Sequence, residues 1–239
     1  MLLTRPVLDI SVATPRARII HVDLQGTPFP FCPGQAIWLG AHGQELRKPY
    51  SIASSPEDVA RDGRLELLVG VDADGEPGAH LPLHPGTLVD IDGPVGRFTF
   101  PDAPSTNRFL FIAGGTGISP LRSMLRHSVH IAHEAIGLLY SARLPEEFAY
   151  ADEFRAMAEA GTIELRMTVT RDAGPGLWTG TRGRITRDDL APLVHDQRTL
   201  CFVCGPPTLV EEMPKVLQPP GVPPERVHTE RWTPSEPSS

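Results

Sequence analysis

The sequence predicts a six-stranded antiparallel β-barrel followed by a doubly wound parallel sheet with helices on both faces. Three observations predict this fold class. The chain has 239 residues, enough for two domains of ordinary size. Up to Phe100 the apolar residues alternate in short runs between Gly/Pro turns, as antiparallel strands do. Beyond Ser105 continuous apolar strands alternate with helical patterns. The linker near residues 102–105 therefore predicts one domain over residues 1–103 and a second over residues 104–232.

Six short runs of aliphatic residues predict the strands of the first domain. Turns such as Cys32-Pro33-Gly34 and His84-Pro85-Gly86 separate them, a spacing typical of a small barrel. The predicted strands are Val7–Val12, Ala17–Leu24, Ala36–Leu39, Tyr50–Ala53, Leu65–Val71 and Leu88–Ile91.

The second domain is predicted to alternate strands with helices, which is the order that produces a parallel sheet. The last seven residues, Thr233–Ser239, are rich in Pro and Ser, and we expect them to form a disordered tail. The predicted strands are Phe109–Ala113, Ala135–Tyr140, Ile163–Thr170 and Leu200–Val203, and the predicted helices are Ser119–Arg126, Ala151–Ala160, Arg187–Val194 and Thr208–Leu217.

Composition and charge argue against several classes of protein. The formal net charge is −7, which is unfavourable for a nucleic-acid surface because phosphate backbones are bound by excess Lys and Arg. No apolar run approaches the roughly 18 residues of a membrane span. No export signal is recognised, and we expect a cytoplasmic protein. The three cysteines, Cys32, Cys201 and Cys204, lack the spacing of an iron–sulfur site, so no second redox centre is expected in this chain.

The segment from Phe109 to Pro120 is an apolar strand that runs into a glycine-rich turn and then a helix. Glycines let backbone N–H groups approach a ligand, and the N-terminus of a helix binds phosphate. The spacing differs from the G-x-G-x-x-G fingerprint. Two interpretations stay open, a phosphate-binding loop and a tight strand–helix turn. The residues of this loop are Gly114, Gly115, Thr116 and Gly117.

A second pattern lies at Arg47–Ser55, where two cations precede an aromatic residue and a hydroxyl. Such a strand edge offers charge to a diphosphate, a ring face to a planar heterocycle and a small donor to the edge of that heterocycle. An ordinary strand with exposed cations is the alternative. The candidate residues are Arg47, Lys48, Pro49, Tyr50, Ser51 and Ile52.

The third pattern is an apolar strand that ends at Cys204-Gly205-Pro206-Pro207. Cys201 and Cys204 have the spacing of a redox dithiol, but that motif opens a helix, whereas a strand places these two residues on opposite faces. We therefore expect no disulfide. Cys204 is predicted at the carboxyl end of a parallel strand, where open α/β sheets bind their ligands.

Taken in order, these segments resemble the ferredoxin–NADP reductase superfamily over nearly the whole chain. Arg47–Ser54 resembles its flavin-binding R-x-Y-[ST] strand, and Gly114–Pro120 matches its pyridine-nucleotide loop. Cys204–Pro207 matches its C-G-P-P turn, and Glu230-Arg231-Trp232 is similar to its terminal acid-x-aromatic. The resemblance implies a flavin-binding barrel followed by an NAD(P)-binding α/β domain.

The resemblance also implies roles for single residues. Tyr50 would pack on the isoalloxazine, and Ser51 would lie beside flavin N5. Thr116 would border the nicotinamide, with Cys204 beneath it. Near the end of the chain, Glu230 would be a nearby polar group, and Trp232 would cover the ring face that the nicotinamide must reach.

Two positions depart from the family's pattern. The diphosphate-binding arginine falls on Lys48, because Arg47 is one residue too early and would turn to the other face of the strand. Where relatives place a diphosphate-binding Ser or Thr, after Gly78, this chain has Ala79. Lys48 still supplies charge and Gly78 still supplies N–H groups, so the expected cofactor is FAD, with FMN as the alternative.

Five arginines between Arg166 and Arg187 accompany a single acid. The resemblance implies that the readers of a 2′-phosphate are Ser141, Arg143, Thr170 and Arg171. Because guanidinium is the natural partner of phosphate, NADPH is favoured over NADH. The alternative is that these arginines pair with Asp188, Asp189 or Glu164.

The resemblance implies a flavin-dependent oxidoreductase that transfers a hydride from NADPH to bound FAD and passes electrons to a separate acceptor, such as a ferredoxin, a flavodoxin, an oxygenase component or a small molecule. Ser51 and Glu230 would tune flavin N5 and relay its proton. The alternative is a non-catalytic cofactor-binding subunit of a larger redox complex, which Lys48 and Ala79 suggest. Three histidines at 127, 130 and 133 could lie on one side of a helix end, but such a set is rarely a metal site, and no metal site is predicted.

Overall fold

The computed structural model describes residues 2–72, 74–78, 80–82, 84–171 and 178–231. It contains a six-stranded antiparallel sheet and a six-stranded parallel sheet with helices, so the predicted fold class is confirmed. The chain forms two compact units. The first combines residues up to Pro104 with residues 119–132 and 146–150, and the second combines residues 105–118 and 133–145 with those from Ala151 onward.

The first unit is built on strands in the order β4-β3-β6-β1-β2-β5, and neighbouring strands run antiparallel. A single bridge between Ile52, just after β4, and Leu67 of β5 joins the two edges of this sheet. The sheet is therefore closed into a barrel, which removes its free edges. The strands are β1 (Leu2–Thr14), β2 (Ala17–Asp23), β3 (Ala36–Ala41), β4 (Lys48–Ser51), β5 (Arg64–Gly70) and β6 (Leu88–Val95).

Inward-facing side chains of the strands fill the interior of the barrel. In β5 the inward positions are Leu65, Leu67 and Val69, all fully buried, and they alternate with outward residues as the pleat of a strand requires. Together with the inward residues of the other strands they form one apolar core, which includes Ile37 and Ile91.

A short helix, α1 (Pro56–Asp62), follows β4 and was not predicted. Ser55 caps it, because its side chain accepts the Asp58 N–H while the Asp58 carboxylate accepts the Ser55 N–H. The helix ends at Gly63, whose φ of +65° is the left-handed conformation that favours glycine. Ser-Pro-Glu-Asp followed by Gly is a start and stop signal that could have identified this helix.

Helix α2 (Ile118–Ser128) packs on the barrel through its first two turns. Its side chains reach three carbonyl oxygens of the segment after Tyr50, in a periodic arrangement on one helix face. The donors and acceptors are Ser119 Oγ to Ser51 O at 2.9 Å, Arg122 Nη1 to Ala53 O at 2.9 Å and Ser123 Oγ to Ser54 O at 2.8 Å.

The second unit holds a parallel sheet in the order β10-β9-β8-β7-β11-β12. Its two edge strands were not predicted: β10 has only two residues, and β12 is partly exposed and lacks a continuous apolar run. The predicted helix Arg187–Val194 is shorter in the structure and ends at Leu190. The strands are β7 (Arg108–Gly114), β8 (Ala135–Ala142), β9 (Glu164–Val169), β10 (Thr181–Arg182), β11 (Leu200–Gly205) and β12 (Val227–Arg231), and the helices are α3 (Ala151–Glu159), α4 (Arg187–Leu190) and α5 (Pro207–Leu217).

The strand order reverses between β7 and β11. From β7 the chain adds β8, β9 and β10 on one side, and then returns to place β11 and β12 on the other side. Ligands of open α/β sheets bind at such a reversal, beyond the carboxyl ends of the strands. None of the helices in the described ranges has both the length and the apolar character needed to cross a membrane.

Candidate functional site

The carboxyl ends of β7 and β11 lie side by side in the second unit, with Ala113 opposite Cys204 in the register. The predicted glycine-rich loop therefore begins next to the predicted Cys204-Gly205-Pro206 turn. A single turn of 3₁₀ helix over Gly115–Gly117 connects β7 to α2. The structure brings these two sequence motifs together at the point where the sheet changes direction.

Three glycines allow this close approach. A Cβ on Gly117 would lie 2.4 Å from the Cys204 carbonyl oxygen, and one on Gly114 would lie 2.8 Å from Pro206 Cδ. A Cβ on Gly205 would lie 3.1 Å from the Gly114 backbone. These positions are glycine because the two strand ends pack against each other, a reason that the sequence analysis did not foresee.

Gly115 differs from the other glycines of the loop. Its φ is +55°, and no heavy atom lies within 4 Å of the position that a Cβ would occupy. Its carbonyl oxygen accepts a 3.0 Å hydrogen bond from the hydroxyl of Tyr140, a fully buried residue of β8 that the sequence analysis assigned only to a strand. The Tyr140 hydroxyl therefore anchors the loop through the Gly115 carbonyl oxygen, and the space where a Gly115 side chain would lie is open.

Thr116 supplies an observation that points to a ligand. Its Oγ1 is buried and has no hydrogen-bond partner among the described residues. A buried hydroxyl without a partner is unfavourable by about 1–3 kcal/mol. Together with the open face of Gly115, this hydroxyl fits a site that holds a nucleotide.

Cys204 and Glu230 are opposite each other in β11 and β12. Burial, and secondarily the Glu230 carboxylate, raises the pKa of the Cys204 thiol, so the thiol stays protonated at neutral pH. Burial also raises the pKa of Glu230 to about 7. A carboxyl group with this pKa can gain or lose a proton near neutral pH, as proton exchange at an active site requires.

The four residues predicted to read a 2′-phosphate lie at the carboxyl ends of the adjacent strands β8 and β9. Ser141 pairs with Thr168 in the register, and the N–H of Arg171 donates to the Arg143 carbonyl oxygen at 2.9 Å. Thr170 is linked to the same loop through the Ala142 carbonyl oxygen. The structure therefore brings Ser141, Arg143, Thr170 and Arg171 together.

The guanidinium groups of Arg143 and Arg171 are both exposed. Two of the acids proposed as alternative partners are engaged elsewhere: Glu164 contacts His195 at 2.8 Å, and the Asp189 carboxylate accepts the Thr186 N–H. Within the described ranges no salt bridge involves Arg143 or Arg171. Both cations are available to an anionic ligand.

The two predicted cations of the first unit are adjacent in the chain but have different neighbours. Arg47 lies just before β4 and forms an ion pair with Asp90 at 3.2 Å. Lys48 lies near Gly78 and His80 instead, since a Cβ on Gly78 would be 3.9 Å from Lys48 Nζ. Lys48, and not Arg47, is therefore the cation grouped with the segment that contains Gly78.

Tyr50 contacts a residue that the sequence analysis missed. Its hydroxyl is 2.7 Å from His80 Nε2, and the two rings are parallel with centroids 6.0 Å apart. Burial raises the pKa of Tyr50 well above its ordinary value. A single histidine in a loop gives no sequence signal for a contact with a tyrosine 30 residues away.

The remaining candidates of the barrel differ in exposure. Ile52 is fully buried in the core, whereas Pro49 is exposed and Ser51 is partly buried. Ala79 and Trp232 lie outside the described residues, as does the predicted tail Thr233–Ser239.

Comparison with known proteins identifies the family. Residues 7–100 match the family described as Oxidoreductase FAD-binding domain, and residues 111–215 match the one described as Oxidoreductase NAD-binding domain. Ferredoxin–NADP reductase B of Sorangium cellulosum is 34% identical over 219 residues, covering 87% of this chain and 87% of that protein. The chain belongs to the ferredoxin–NADP reductase superfamily.

One further relative agrees with this assignment, and a solved structure has the same fold. Oxidoreductase NAD-binding domain-containing protein 1 of Danio rerio is 30% identical over 246 residues, which are 95% of this chain and 90% of that protein. The solved structure titled ferredoxin reductase in carbazole 1,9a-dioxygenase has a TM-score of 0.81 at 24% identity, and covers 98% of this chain and 70% of that one.

Membership of this superfamily makes the chain an NAD(P)H-dependent flavin oxidoreductase that passes electrons to a partner. Its cofactors are FAD and NAD(P)H. The described residues fit both groups, because Thr116 Oγ1 and His80 Nδ1 are buried polar atoms without partners among them. The expectation of an enzyme is confirmed over the alternative of a non-catalytic subunit.

Proposed function

We propose that this enzyme oxidises NADPH and delivers the electrons to a separate ferredoxin. The observation that carries the choice of NADPH is the exposed pair Arg143 and Arg171 at the ends of β8 and β9. The choice of ferredoxin rests on the relative from Sorangium cellulosum, whose name specifies ferredoxin and NADP and which matches most of this chain.

Bound FAD would supply the redox chemistry, because a flavin accepts two electrons from a nicotinamide and can release them one at a time. The protein's contribution is to bind, orient and shield. Lys48 places a positive charge where the flavin diphosphate is expected, and Tyr50 offers a ring face for stacking, worth about 0.5–1.5 kcal/mol beyond the area it buries. Ser51 offers a hydroxyl at the end of β4.

In the second unit, the loop Gly114–Gly117 would hold the NADPH pyrophosphate. The open face of Gly115 lets backbone N–H groups approach it, and Thr116 Oγ1 would bind the nicotinamide end of the nucleotide. Cys204 offers a protonated, apolar surface, because its thiol is buried and its pKa is raised. Glu230 would exchange a proton near neutral pH, and we propose that Trp232 covers the flavin.

Arg143 and Arg171 would bind the 2′-phosphate that distinguishes NADPH from NADH. Hydrogen bonds to charged groups contribute roughly 1.5–3 kcal/mol each, so one guanidinium is enough for a preference of about tenfold. The guanidinium groups are exposed, and solvent screening reduces this effect at high salt.

A reduction experiment tests the proposal. The purified protein is reconstituted with FAD and mixed anaerobically with NADPH or NADH while the absorbance of the oxidised flavin is recorded. We expect NADPH to bleach this absorbance at a lower concentration than NADH. An absorbance that neither nucleotide bleaches would overturn the catalytic role, and equal half-saturation by both would overturn the choice of NADPH.

The acceptor is tested with the reduced enzyme. A two-iron ferredoxin, a four-iron ferredoxin, a flavodoxin and dissolved oxygen are each offered under matched conditions, and reoxidation of the flavin is timed. We expect a ferredoxin to react fastest and the rate to fall with ionic strength, as for association steered by charge. Faster reaction with flavodoxin or oxygen would exclude ferredoxin as the preferred acceptor.

A further inference from the structure

The proposed function gives no specific role to His80, the histidine that contacts Tyr50. The side chain of His80 is only 1% exposed. Its ring lies parallel to the Tyr50 ring, with 8° between the planes, and Nε2 is 2.7 Å from the Tyr50 hydroxyl. One side of the imidazole is therefore fixed by Tyr50.

The other side of the imidazole lacks a partner. His80 Nδ1 is buried, and within the described ranges no donor or acceptor reaches it. Most buried polar atoms in proteins have a hydrogen-bond partner, and an exception indicates a ligand or another group that binds there. His80 Nδ1 is such an exception.

Two side-chain nitrogen atoms, from His80 and Lys48, lie close to Gly78. A Cβ on Gly78 would lie 3.5 Å from His80 Nδ1 and 3.9 Å from Lys48 Nζ. Gly78 has a φ of +104°, so a residue with a side chain is disfavoured there. The space beside Gly78 is therefore bordered by a positive charge and a ring nitrogen, and no salt bridge among the described residues neutralises Lys48. An anion of small size suits this arrangement.

The protonation states allow a donor at Nδ1. Burial, and secondarily the charge of Lys48, lowers the pKa of His80 to about 4, so the imidazole is neutral at pH 7 and has a single N–H group. Tyr50 keeps its proton, because burial raises its pKa. When the Tyr50 hydroxyl donates to Nε2, the N–H group of the ring is at Nδ1 and is directed away from Tyr50.

We propose that His80 binds a phosphate group of the flavin nucleotide: the Tyr50 hydroxyl donates to Nε2, and the Nδ1–H group and the Lys48 ammonium donate to the same phosphate. This inference rests on the proposed function and deepens it. Tyr50 then has two effects, because it stacks on the flavin and sets the tautomer of the phosphate-binding histidine.

The test compares three flavins that share a ring and differ in phosphate. Dissociation constants of riboflavin, FMN and FAD are measured by titrating the apoprotein and following flavin fluorescence. In His80→Phe, which keeps a planar ring against Tyr50, we expect the affinity for FAD or FMN to fall about tenfold or more and that for riboflavin to change less than twofold. An equal loss for riboflavin would mean that His80 only positions Tyr50, and no loss for any flavin would exclude the contact.

A second measurement does not depend on a folded variant. In the wild-type protein labelled with ¹⁵N-histidine, the Nδ1 and Nε2 resonances report the tautomer of His80. We expect Nδ1 to be the protonated nitrogen and its resonance to shift when FMN or FAD is added, but not with riboflavin. A proton on Nε2 in the FAD complex would overturn the proposal. Failure of all three flavins to bind the wild-type protein would instead overturn the proposed function, and this inference with it.

Discussion

Arg126 of α2 and Asp58 of α1 form a two-point ion pair, with Nε 2.5 Å from Oδ2 and Nη2 2.6 Å from Oδ1. The same carboxylate caps α1 through Ser55. The pair therefore joins the two helices of the barrel unit at a point where the Asp58 side chain is 9% exposed. Removing one member of a buried ion pair leaves the other charge without compensation.

Replacing Asp58 with Asn is expected to destabilise the barrel unit by about 3 kcal/mol at pH 7, because Arg126 would remain partly buried without its counter-charge. Urea unfolding followed by circular dichroism measures this effect. The control is Asp62→Asn on the same helix. Asp62 pairs with the exposed Arg61, and exposed pairs contribute little to stability because solvent screens them. Equal effects of the two substitutions would show that the Arg126 pair adds nothing.

The Asp58 pair should also make stability depend on pH. Burial alone would raise the pKa of Asp58, but the hydrogen bonds and charge of Arg126 and the bonds from Ser55 hold it well below the ordinary value. The folded state thus binds this proton less readily than the unfolded state. The stabilisation is present above about pH 4 and is lost as the pH falls further. We expect the stability difference between the wild type and Asp58→Asn to shrink between about pH 5 and pH 2; a constant difference would contradict this cause.

Glu230 should have the opposite dependence on pH. Burial raises its pKa to about 7, so between an ordinary value near 4.5 and pH 7 the folded state holds a proton that the unfolded state releases. Stability attributable to Glu230 therefore falls as the pH rises through this range. Glu230→Gln is expected to match the wild type at about pH 4 and to be more stable than it at about pH 8, as measured by thermal unfolding. Glu211→Gln, an exposed acid paired with Arg231, should not show this crossover.

The two kinds of glycine in the nucleotide loop should respond differently to alanine. Gly117→Ala places a methyl group against the Cys204 carbonyl oxygen and should destabilise the second unit by about 2–3 kcal/mol. Gly115→Ala meets no neighbour and should cost only about 1 kcal/mol for its positive φ, while raising the KM for NADPH. Gly161→Ala, with a φ of +71° and open space, controls for the backbone strain. An unchanged KM in Gly115→Ala would remove this loop from the nucleotide site.

Arg171→Ala is expected to raise the KM for NADPH about tenfold and to change the KM for NADH less than twofold, because only NADPH has the 2′-phosphate. Steady-state kinetics with both nucleotides measures this. Arg184→Ala is the matched control, since Arg184 belongs to the same arginine-rich segment but pairs with Glu212 at 2.8 Å. Equal changes with both nucleotides would show that Arg171 does not read the 2′-phosphate.

The sequence was most informative where a pattern is local. Alternating aliphatic residues predicted the six strands of the barrel, and the motifs at Gly114 and Cys204 predicted two turns that the structure places side by side. It was least informative where the deciding contact is distant in the chain. In the sequence, Tyr140 looks like an ordinary strand residue. Only the structure shows that its hydroxyl donates to the Gly115 carbonyl oxygen. His80 becomes a candidate only through its contact with Tyr50. The need for glycine at position 117 follows only from the nearby Cys204 backbone.

Three hydrogen bonds from α2 to the segment Ser51–Ser54 are accepted by main-chain carbonyl oxygens. The side chain of Ser51, which is only partly buried, can therefore be exchanged without removing the acceptor of Ser119. Insertion or deletion of a single residue in this segment would instead disturb the spacing of the three carbonyl oxygens that α2 contacts. Changes of length between Ser51 and Ser54 should consequently be selected against.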